Sequence, residues 1–257
     1  ISTDDLGNVG TGGALVDTDT ITLNVNPVPA YAASPTYATL PAVLDSSLNG
    51  TGKQVLSLTD GVDYIHDMQV LADGKILAVG AVNDRFGIMR FNADMTFDGT
   101  FGSGGGTQTD FGAGVHAKTF TFDSQGRILV VGGNRLVRYT ADGVLDASFG
   151  TDGVVVDDYV LHCWDVTVEA NGNILVAGRD DYRFRATRWS PSGAQLRTFE
   201  YDPQGSEDDY TRGIIARDDG DMLWIGSSAY HGNWSDRAFA TVRFGQGGAI
   251  GLYSRYD

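Results

Sequence analysis

The chain has 257 residues, a net charge of −15 and 42% hydrophobic residues, enough for one large domain plus an appendage. The acidic balance argues against binding nucleic acid or anionic membranes by bulk attraction, and it is compatible with Ca²⁺ binding, a saline habitat or simple solubility. No run of 18 apolar residues occurs, so the sequence predicts no membrane span. Thirty-five glycines favour a turn-rich β fold.

The first 28 residues contain one clear strand signal. Ile21, Leu23 and Val25 alternate with polar residues and would share one face of a strand. Only a terminal hairpin is present, so this segment cannot build a sandwich of its own. We expect the strand either to exchange onto an open sheet edge of the same or another subunit, or to be a flexible tail ordered by packing.

The same segment resembles part of a known repeat. Thr11–Leu15 with Asp17–Val28 resembles the last strands of a cadherin-like (VCBS-type) repeat of bacterial adhesins. The resemblance implies calcium-binding loops near four carboxylates, Asp4, Asp5, Asp17 and Asp19. Ca²⁺ needs six to eight oxygen ligands, so solvated acidic loops are the alternative. Without an initiator Met or a signal peptide, we expect a piece of a larger secreted or cell-surface protein.

An extended linker follows. Residues 29–42 contain Pro29, Pro35 and Pro41 among several Ala and Ser. We therefore divide the chain into an appendage (1–28), a linker (29–42) and a repeat region (43–257).

The repeat region contains one short sequence phrase, a five-residue motif, four times. It reads Asp73–Leu77, Gln125–Leu129, Asn171–Leu175 and Asp219–Leu223, with central glycines 52, 46 and 48 residues apart. Asp-Gly and Asn-Gly pairs tolerate positive φ and predict a tight turn between two apolar runs. A third run ends in Arg plus an aromatic residue, and a Leu/Phe-Asp-x-x-Phe segment such as Leu145–Phe149 closes the unit.

The repeat predicts an all-β fold. Each unit holds three or four short antiparallel strands, and no stretch has a sustained helical period with caps. Four strands in about 40–50 residues is the size of a propeller blade. A β-sandwich does not require so long a repeat, and β-helix coils are usually shorter. We expect a β-propeller of about four blades with an N-terminal hairpin appendage, its units lying near residues 43–96, 97–144, 145–194 and 195–257.

The repeats also resemble a known family. Leu145–Gly153 and Asp73–Gly80 are similar to the delta-sixty β-propeller repeat of large bacterial surface and secreted proteins, and Arg90–Asp94 and Arg138–Gly143 match its end. The resemblance covers about residues 43–257 and is weaker in the fourth unit, where the usual Asp is missing from Leu196–Phe199. It implies a fold and an extracellular setting, and it implies no chemistry.

The number of blades leaves three arrangements open. Four units could close into a small ring within one chain, two chains could form a larger ring, or further sequence could add blades. The final Ala249–Tyr253 resembles the start of a fifth unit or a closing strand. We expect closure within one chain.

Aligning the units on the turn glycine reveals a candidate site. Ten residues earlier stand Tyr64, His116, His162 and Tyr210, and eight earlier stand His66, Lys118, Trp164 and Arg212. Six and four residues earlier the positions are apolar, as in Met68 and Val70. With a period of two, all these positions would share one face of the innermost strand.

The polar positions would then line one mouth of the central channel. Such a concave, aromatic and cationic site could hold a carboxylate, a sugar or a partner's side chain. The alternative is that these residues only satisfy the neighbouring blades. A metal site formed by the histidines is a weaker interpretation, because their offsets differ.

The single cysteine, Cys163, excludes an intrachain disulfide. It lies beside His162 in a predicted strand, where neighbouring residues point to opposite faces, so His162 would not activate it directly. We expect a small buried residue, the alternative being a Cys-His catalytic pair.

Other acidic residues cluster at predicted strand ends and in loops. These are Asp157-Asp158, Asp180-Asp181 and Glu207-Asp208-Asp209. Solvated loops are the expected interpretation, and paired-carboxylate hydrolysis would need a defined separation that sequence does not give.

Three functional hypotheses follow. The repeat, the cadherin-like tail and the lack of a nucleophile elbow or phosphate loop favour a non-enzymatic extracellular binding or structural module, whose partners would be other protein subunits or surface glycans. The alternative is a carbohydrate-active or other hydrolytic propeller, with two carboxylates beside Trp164 or Trp234. A calcium-stabilised domain is the third.

Overall fold

The computed structural model describes residues 61–160, 162–180, 183–201, 210–217, 219–229, 237–245 and 250–256, with residues 46, 51, 53 and 55. This part of the chain is all β and contains no helix, so it has no helix that could cross a membrane. The predicted strand at Ile21–Val25, the linker and the calcium candidates Asp4, Asp5, Asp17 and Asp19 lie outside the described residues.

Among the described residues, sixteen strands form four antiparallel sheets of four strands each. The first sheet contains β1 (Tyr64–Val70), β2 (Ile76–Val82), β3 (Arg85–Phe91) and β4 (Gly106–Thr109). The second contains β5 (Thr119–Phe122), β6 (Ile128–Gly132), β7 (Arg135–Tyr139) and β8 (Val154–Val156). The third contains β9 (His162–Val168), β10 (Ile174–Asp180), β11 (Arg183–Trp189) and β12 (Gln195–Tyr201). The fourth contains β13 (Tyr210–Ala216), β14 (Met222–Ala229), β15 (Arg237–Phe244) and β16 (Ile250–Tyr256). These four meander sheets confirm the predicted fold class.

The repeated phrase forms the turn between the first two strands of every sheet. Gly74 and its counterparts have φ values of 75–84°, which glycine adopts without steric cost. In the first, third and fourth sheets the residue before the glycine supports the turn with its side chain: Asp73 Oδ1 accepts the Lys75 N–H at 3.0 Å, Asn171 Oδ1 accepts the Asn173 N–H at 2.9 Å, and Asp219 Oδ1 accepts the Asp221 N–H at 3.1 Å. The phrase therefore specifies a hairpin.

The sheets and the sequence units are offset. Strand β4 pairs with β3, so the closing segment after Arg90-Phe91 belongs to the first sheet although the unit boundary was placed at residue 96. The same offset recurs in the second sheet, where β8 pairs with β7.

Buried clusters join successive sheets. One unites the first and second sheets around Leu77 and Phe120, another unites the second and third around Leu129 and Val166, and a third unites the third and fourth around Leu175. Within the described residues, no buried cluster joins the fourth sheet to the first. The predicted closure within one chain is therefore not confirmed.

Candidate functional site at the first strands

The first strands of successive sheets, β1, β5, β9 and β13, contact one another. Three of them contain a β-bulge at one equivalent position, eight residues before the turn glycine. Pairing shifts between Ile65 and Asp67 in β1, opposite Ala177 and Gly178 in β9, and between Thr211 and Gly213 in β13. The bulged residues are His66, Trp164 and Arg212, and Lys118 directly precedes β5 at the same position.

The bulge corrects the prediction that four positions share one face. Tyr64 pairs with Ala81, whereas Met68 pairs with Ala78, so these two first-strand residues lie on opposite faces of the first sheet. An extra residue breaks the period of two, and Ile65 joins the face of Met68 instead. The polar positions are thereby separated from the packing face.

In the first three sheets, a glycine near the end of the second strand lies where the first strand approaches closely. A Cβ at Gly80 would lie 2.0 Å from the carbonyl oxygen of Tyr64, and one at Gly132 or Gly178 would lie 2.0 Å from the equivalent carbonyl. In the sequence this glycine belongs to the second apolar run of each unit, and no role was predicted for it.

Six of the eight predicted residues come together in what we call the mouth cluster: Tyr64, His66, His116, Lys118, Trp164 and Arg212. Tyr64 and His116 are linked from hydroxyl to Nδ1, and the Tyr64 ring meets the His66 ring edge-on at 4.9 Å between centroids. The other ring nitrogen of His116, Nε2, lies 2.8 Å from Asp84 Oδ1. Asp84, which lies in the Asn83-Asp84 turn with φ values of 51° and 57°, was not predicted from the sequence.

Cations gather around Trp164. The Lys118 ammonium lies 5.8 Å from the centroid of the Trp164 ring, and the Arg212 guanidinium lies 4.7 Å from it, both within cation–π range. Lys118 Nζ is also 2.9 Å from His66 Nε2. One indole thus contacts cations from the second and fourth sheets.

Three groups of the mouth cluster have shifted pKa values. Burial, with the charges of Lys118 and His116, lowers the pKa of His66 below its ordinary 6.5, so His66 is largely neutral at pH 7. Burial lowers the pKa of Lys118. Burial and the charge of Asp84 raise the pKa of Tyr64.

The other two predicted site residues are His162 and Tyr210. His162 begins β9 and is exposed. Tyr210 begins β13, and its side chain lies outside the described part of the structure. The predicted ring is therefore seen only in part.

Two carboxylates lie one position beyond the bulge. Asp67 Oδ2 accepts the Thr119 hydroxyl at 2.6 Å, and Asp165 Oδ2 accepts the backbone N–H of Ile214 at 2.8 Å. Each carboxylate thereby links its strand to the first strand of the next sheet. Burial raises the pKa of Asp165, and the charge of Asp67 adds to the effect.

Cys163 is buried, and burial raises its pKa well above the ordinary value. Its neighbour His162 is exposed, so the two side chains lie on opposite faces as expected. The Cys-His pair is not formed.

The acidic clusters have different environments. Asp157 is 1% exposed and accepts the N–H groups of Tyr159 and Val160 at 2.9 Å, so the expectation of a solvated loop is wrong for this residue. Asp158 is exposed. Asp181 and Glu207-Asp208-Asp209 lie outside the described residues. Among the residues that are described, no group of three or more His, Cys, Asp or Glu could hold a metal ion.

The fold and the repeated first-strand positions define a β-propeller repeat protein. Residues 71–101 and 124–149 match the family model of a beta-propeller domain of unknown function (DUF5122). No curated protein matches the chain.

Several solved structures are similar at low identity. A protein of unknown function from Bacteroides caccae shares 14% identity with a TM-score of 0.48, covering 70% of this chain and 57% of that one. A Lactobacillus plantarum protein shares 14% with a TM-score of 0.46, covering 83% and 76%. A GH43 endo-arabinanase from Bacillus licheniformis shares 12% with a TM-score of 0.41, covering 79% and 83%. The chain thus spans little more than half of the Bacteroides protein.

Proposed function

We propose that this chain is a non-enzymatic extracellular binding module of a large bacterial secreted or surface protein, mediating assembly or adhesion. The mouth cluster binds an acidic side chain of a partner protein. One observation carries the proposal: Lys118 and Arg212 contact a single indole, beside His66, in a chain whose net charge is −15. The net negative charge of the chain repels anions, whereas a local cationic site attracts them. An anionic group is therefore directed to this site.

The chemistry suits a carboxylate. The ammonium of Lys118 and the guanidinium of Arg212 can both donate charge-assisted hydrogen bonds to a carboxylate, and such bonds are stronger than neutral ones. The low pKa of Lys118 reports desolvation, and an incoming carboxylate would offset that cost. Trp164 holds both cations by its face, so the bound state needs little rearrangement of these side chains.

NMR titration of the intact chain with succinate and with a hexaglutamate peptide tests this binding. We expect saturable shifts of the Trp164 indole and of the His66 and His116 rings, lost in the Lys118→Ala/Arg212→Ala variant. Arg183→Ala is the matched control, because it removes an exposed cation on β11 and should leave the shifts intact. Equal titration of the double variant and the unmodified chain would overturn the proposal.

Binding should strengthen as pH falls below 6.5. His66 is neutral at pH 7 because its pKa is lowered, and a bound carboxylate would favour its charged form. The groups facing His66 are Tyr64, His116 and Lys118. A His66→Gln variant should show a flatter pH dependence, and an unchanged slope would rule out His66 as its source.

The extracellular setting is supported by the resemblance to delta-sixty and cadherin-like repeats. Protease treatment of intact producing cells should remove the chain from the surface fraction, or the chain should be recovered from the medium. Recovery only after cell lysis would contradict the proposed setting.

One observation favours the carbohydrate-active alternative. Asp165, whose pKa is raised, is next to Trp164 and near the charge of Asp67. A carboxyl of raised pKa paired with a second carboxylate is what a glycosidase requires. However, both Asp165 oxygens accept backbone N–H groups, from Val166 and Ile214. Polysaccharide hydrolysis that Asp165→Asn abolishes would establish this alternative over the binding module.

A further inference from the structure

The first sheet has an open apolar stripe along its first strand. Ile65, Met68 and Val70 lie on one face of β1 with 46%, 65% and 67% of their surface exposed. The counterparts of Met68 in the other sheets are at most 8% exposed: Phe120, Val166 and Ile214. The counterparts of Ile65 are at most 2% exposed: Ala117, Cys163 and Thr211. The stripe is therefore a packing surface without its partner.

The fourth sheet has the complementary defect. Leu223 and Ile225 of β14 are only half-buried. Their counterparts in the first three sheets are at most 1% exposed: Leu77, Val79, Leu129, Val131, Leu175 and Ala177. The last sheet thus also presents an apolar pair that every earlier sheet buries.

We call the packed contact between two successive sheets a seam, and the same pairs of positions meet in each seam within the chain. The stripe of a sheet's first strand packs against the second-strand pair of the preceding sheet, as Phe120 packs with Leu77 and Val79. The register of the contact is given by the third and fourth sheets: Ile214 N donates to Asp165, and Asp165 pairs with Ala177. The position of Ile214 therefore lies beside that of Ala177. By the same rule Met68 fits Ile225.

We propose that the open stripe of the first sheet binds the fourth sheet of a second copy of this chain. The two open surfaces are the two halves of one seam, so two copies related by a two-fold axis form two identical seams and a ring of eight sheets. The chain's own fourth sheet leaves Met68 and Val70 exposed, which argues against it as the partner. Exposed apolar surface at a repeat end is a liability that pairing removes.

This pairing goes beyond the proposed binding function and would complete its site. In each internal seam a bulge residue meets its counterpart from the next sheet, as Trp164 meets Arg212. In the new seam, Arg212 of one copy would meet His66 of the other. The mouth cluster, an open series in one chain, would become a closed ring.

Cross-linking between two single-site variants tests the pairing without reference to any ligand. Met68→Cys and Ile225→Cys proteins are mixed and treated with a short bismaleimide. We expect a cross-linked dimer in the mixture and little in either protein alone. The unmodified chain is the control, because Cys163 is buried and should not react.

A second measurement keeps the test independent of cross-linker geometry. Light scattering after gel filtration should show a dimer for the unmodified chain, and Met68→Asp/Val70→Asp should be a folded monomer, because both residues are exposed in one copy. A monomer at the highest soluble concentration, or an intramolecular cross-link in the Met68→Cys/Ile225→Cys double variant, would overturn the proposal. The latter outcome would show closure within one chain.

Discussion

Gly132 has no left-handed backbone angle, yet a side chain does not fit there. The carbonyl oxygen of His116, three residues before β5, would lie 2.0 Å from a Cβ at Gly132. Close approach, rather than conformational freedom, thus explains this glycine.

Gly132→Ala should destabilise the protein by about 1–3 kcal/mol, because backbone must shift to relieve the clash. Gly99→Ala is the control, since nothing lies within 4 Å of its Cβ position, and it should change stability by at most about 0.5 kcal/mol. Denaturant unfolding at pH 7 measures both. Equal effects would show that the close approach is not the cause.

Asp98 is a residue whose charge stabilises the fold. Hydrogen bonds from Lys75, Thr100 and Arg90 hold its pKa well below 3.8. Because the carboxyl pKa is lower in the folded state, the charged group stabilises the fold at pH values above its unfolded-state pKa. This stabilisation is lost as the pH falls below 3.8. Asp98→Asn should cost about 1.5–3 kcal/mol at pH 7, and the difference from the unmodified chain should shrink as pH falls below 4. A pH-independent difference would contradict the charge-based explanation.

At the scale of elements, the Arg near the end of the third strand connects the first sheet to the second and the second sheet to the third. Arg138 Nε donates to Asp146 at 2.8 Å, Nη1 donates to the carbonyl of Pro191 in the following unit at 2.6 Å, and the guanidinium lies 4.4 Å from the Phe149 centroid. Arg90 repeats the arrangement and reaches the carbonyl of Ala141 at 3.0 Å. The Arg-aromatic and Asp-x-x-Phe segments are therefore two parts of one inter-sheet contact.

The third unit lacks half of this contact. Leu196 stands where Asp98 and Asp146 would be, the strand β12 continues through it, and Arg188 Nε is buried with no acceptor. Glu169 compensates in part by accepting from Arg188 Nη2 at 2.7 Å. The missing Asp noted in the sequence thus has a structural counterpart.

Arg138→Lys should lower stability by about 1–3 kcal/mol, since one ammonium cannot satisfy the acceptors that the guanidinium fork reaches. Arg183→Lys makes the same change in an exposed pair with Glu200 and should cost at most about 0.5 kcal/mol. Thermal and denaturant unfolding of both variants checks this. Similar losses in the two would mean that the inter-sheet contact adds little.

At the scale of the whole molecule, the second and third sheets have neighbours on both faces, whereas β1 and β14 have open surfaces. We expect hydrogen exchange at low protein concentration to be slower in β10 than in β14, its equivalent in the fourth sheet. Mass spectrometry of exchanged peptides measures the difference. Equal protection would indicate a closed ring.

Calcium remains a prediction of the sequence alone, on Asp4, Asp5, Asp17 and Asp19. If the appendage binds Ca²⁺, chelator should lower the melting temperature and added Ca²⁺ should restore it, because binding to the folded state alone stabilises it. An unchanged melting curve, with Mg²⁺ addition as the control for ionic strength, would count against the site.

The sequence predicted what depends on local patterns. The turn at Gly74 and the antiparallel sheets followed from the repeat, and the positions of His66 and Trp164 followed from alignment on its glycine. The faces did not follow, because strict alternation cannot reveal an extra residue until pairing partners are known. The contact of Asp84 with His116 could not be predicted either. It depends on the direction of the turn between β2 and β3, which is determined only in the folded sheet.

The bulge has an evolutionary consequence. Trp164 is skipped in the pairing of β9 with β10 and lies outside the buried cluster to which Val166 belongs, so we expect a substitution there to change the mouth cluster more than the buried packing. The three bulge positions and the equivalent position before β5 hold four different residues, a histidine, a tryptophan, an arginine and a lysine, on one repeated scaffold. The residues that pack the sheets together are therefore different from those that vary in the mouth cluster. Binding specificity could change by substitution in one blade at a time.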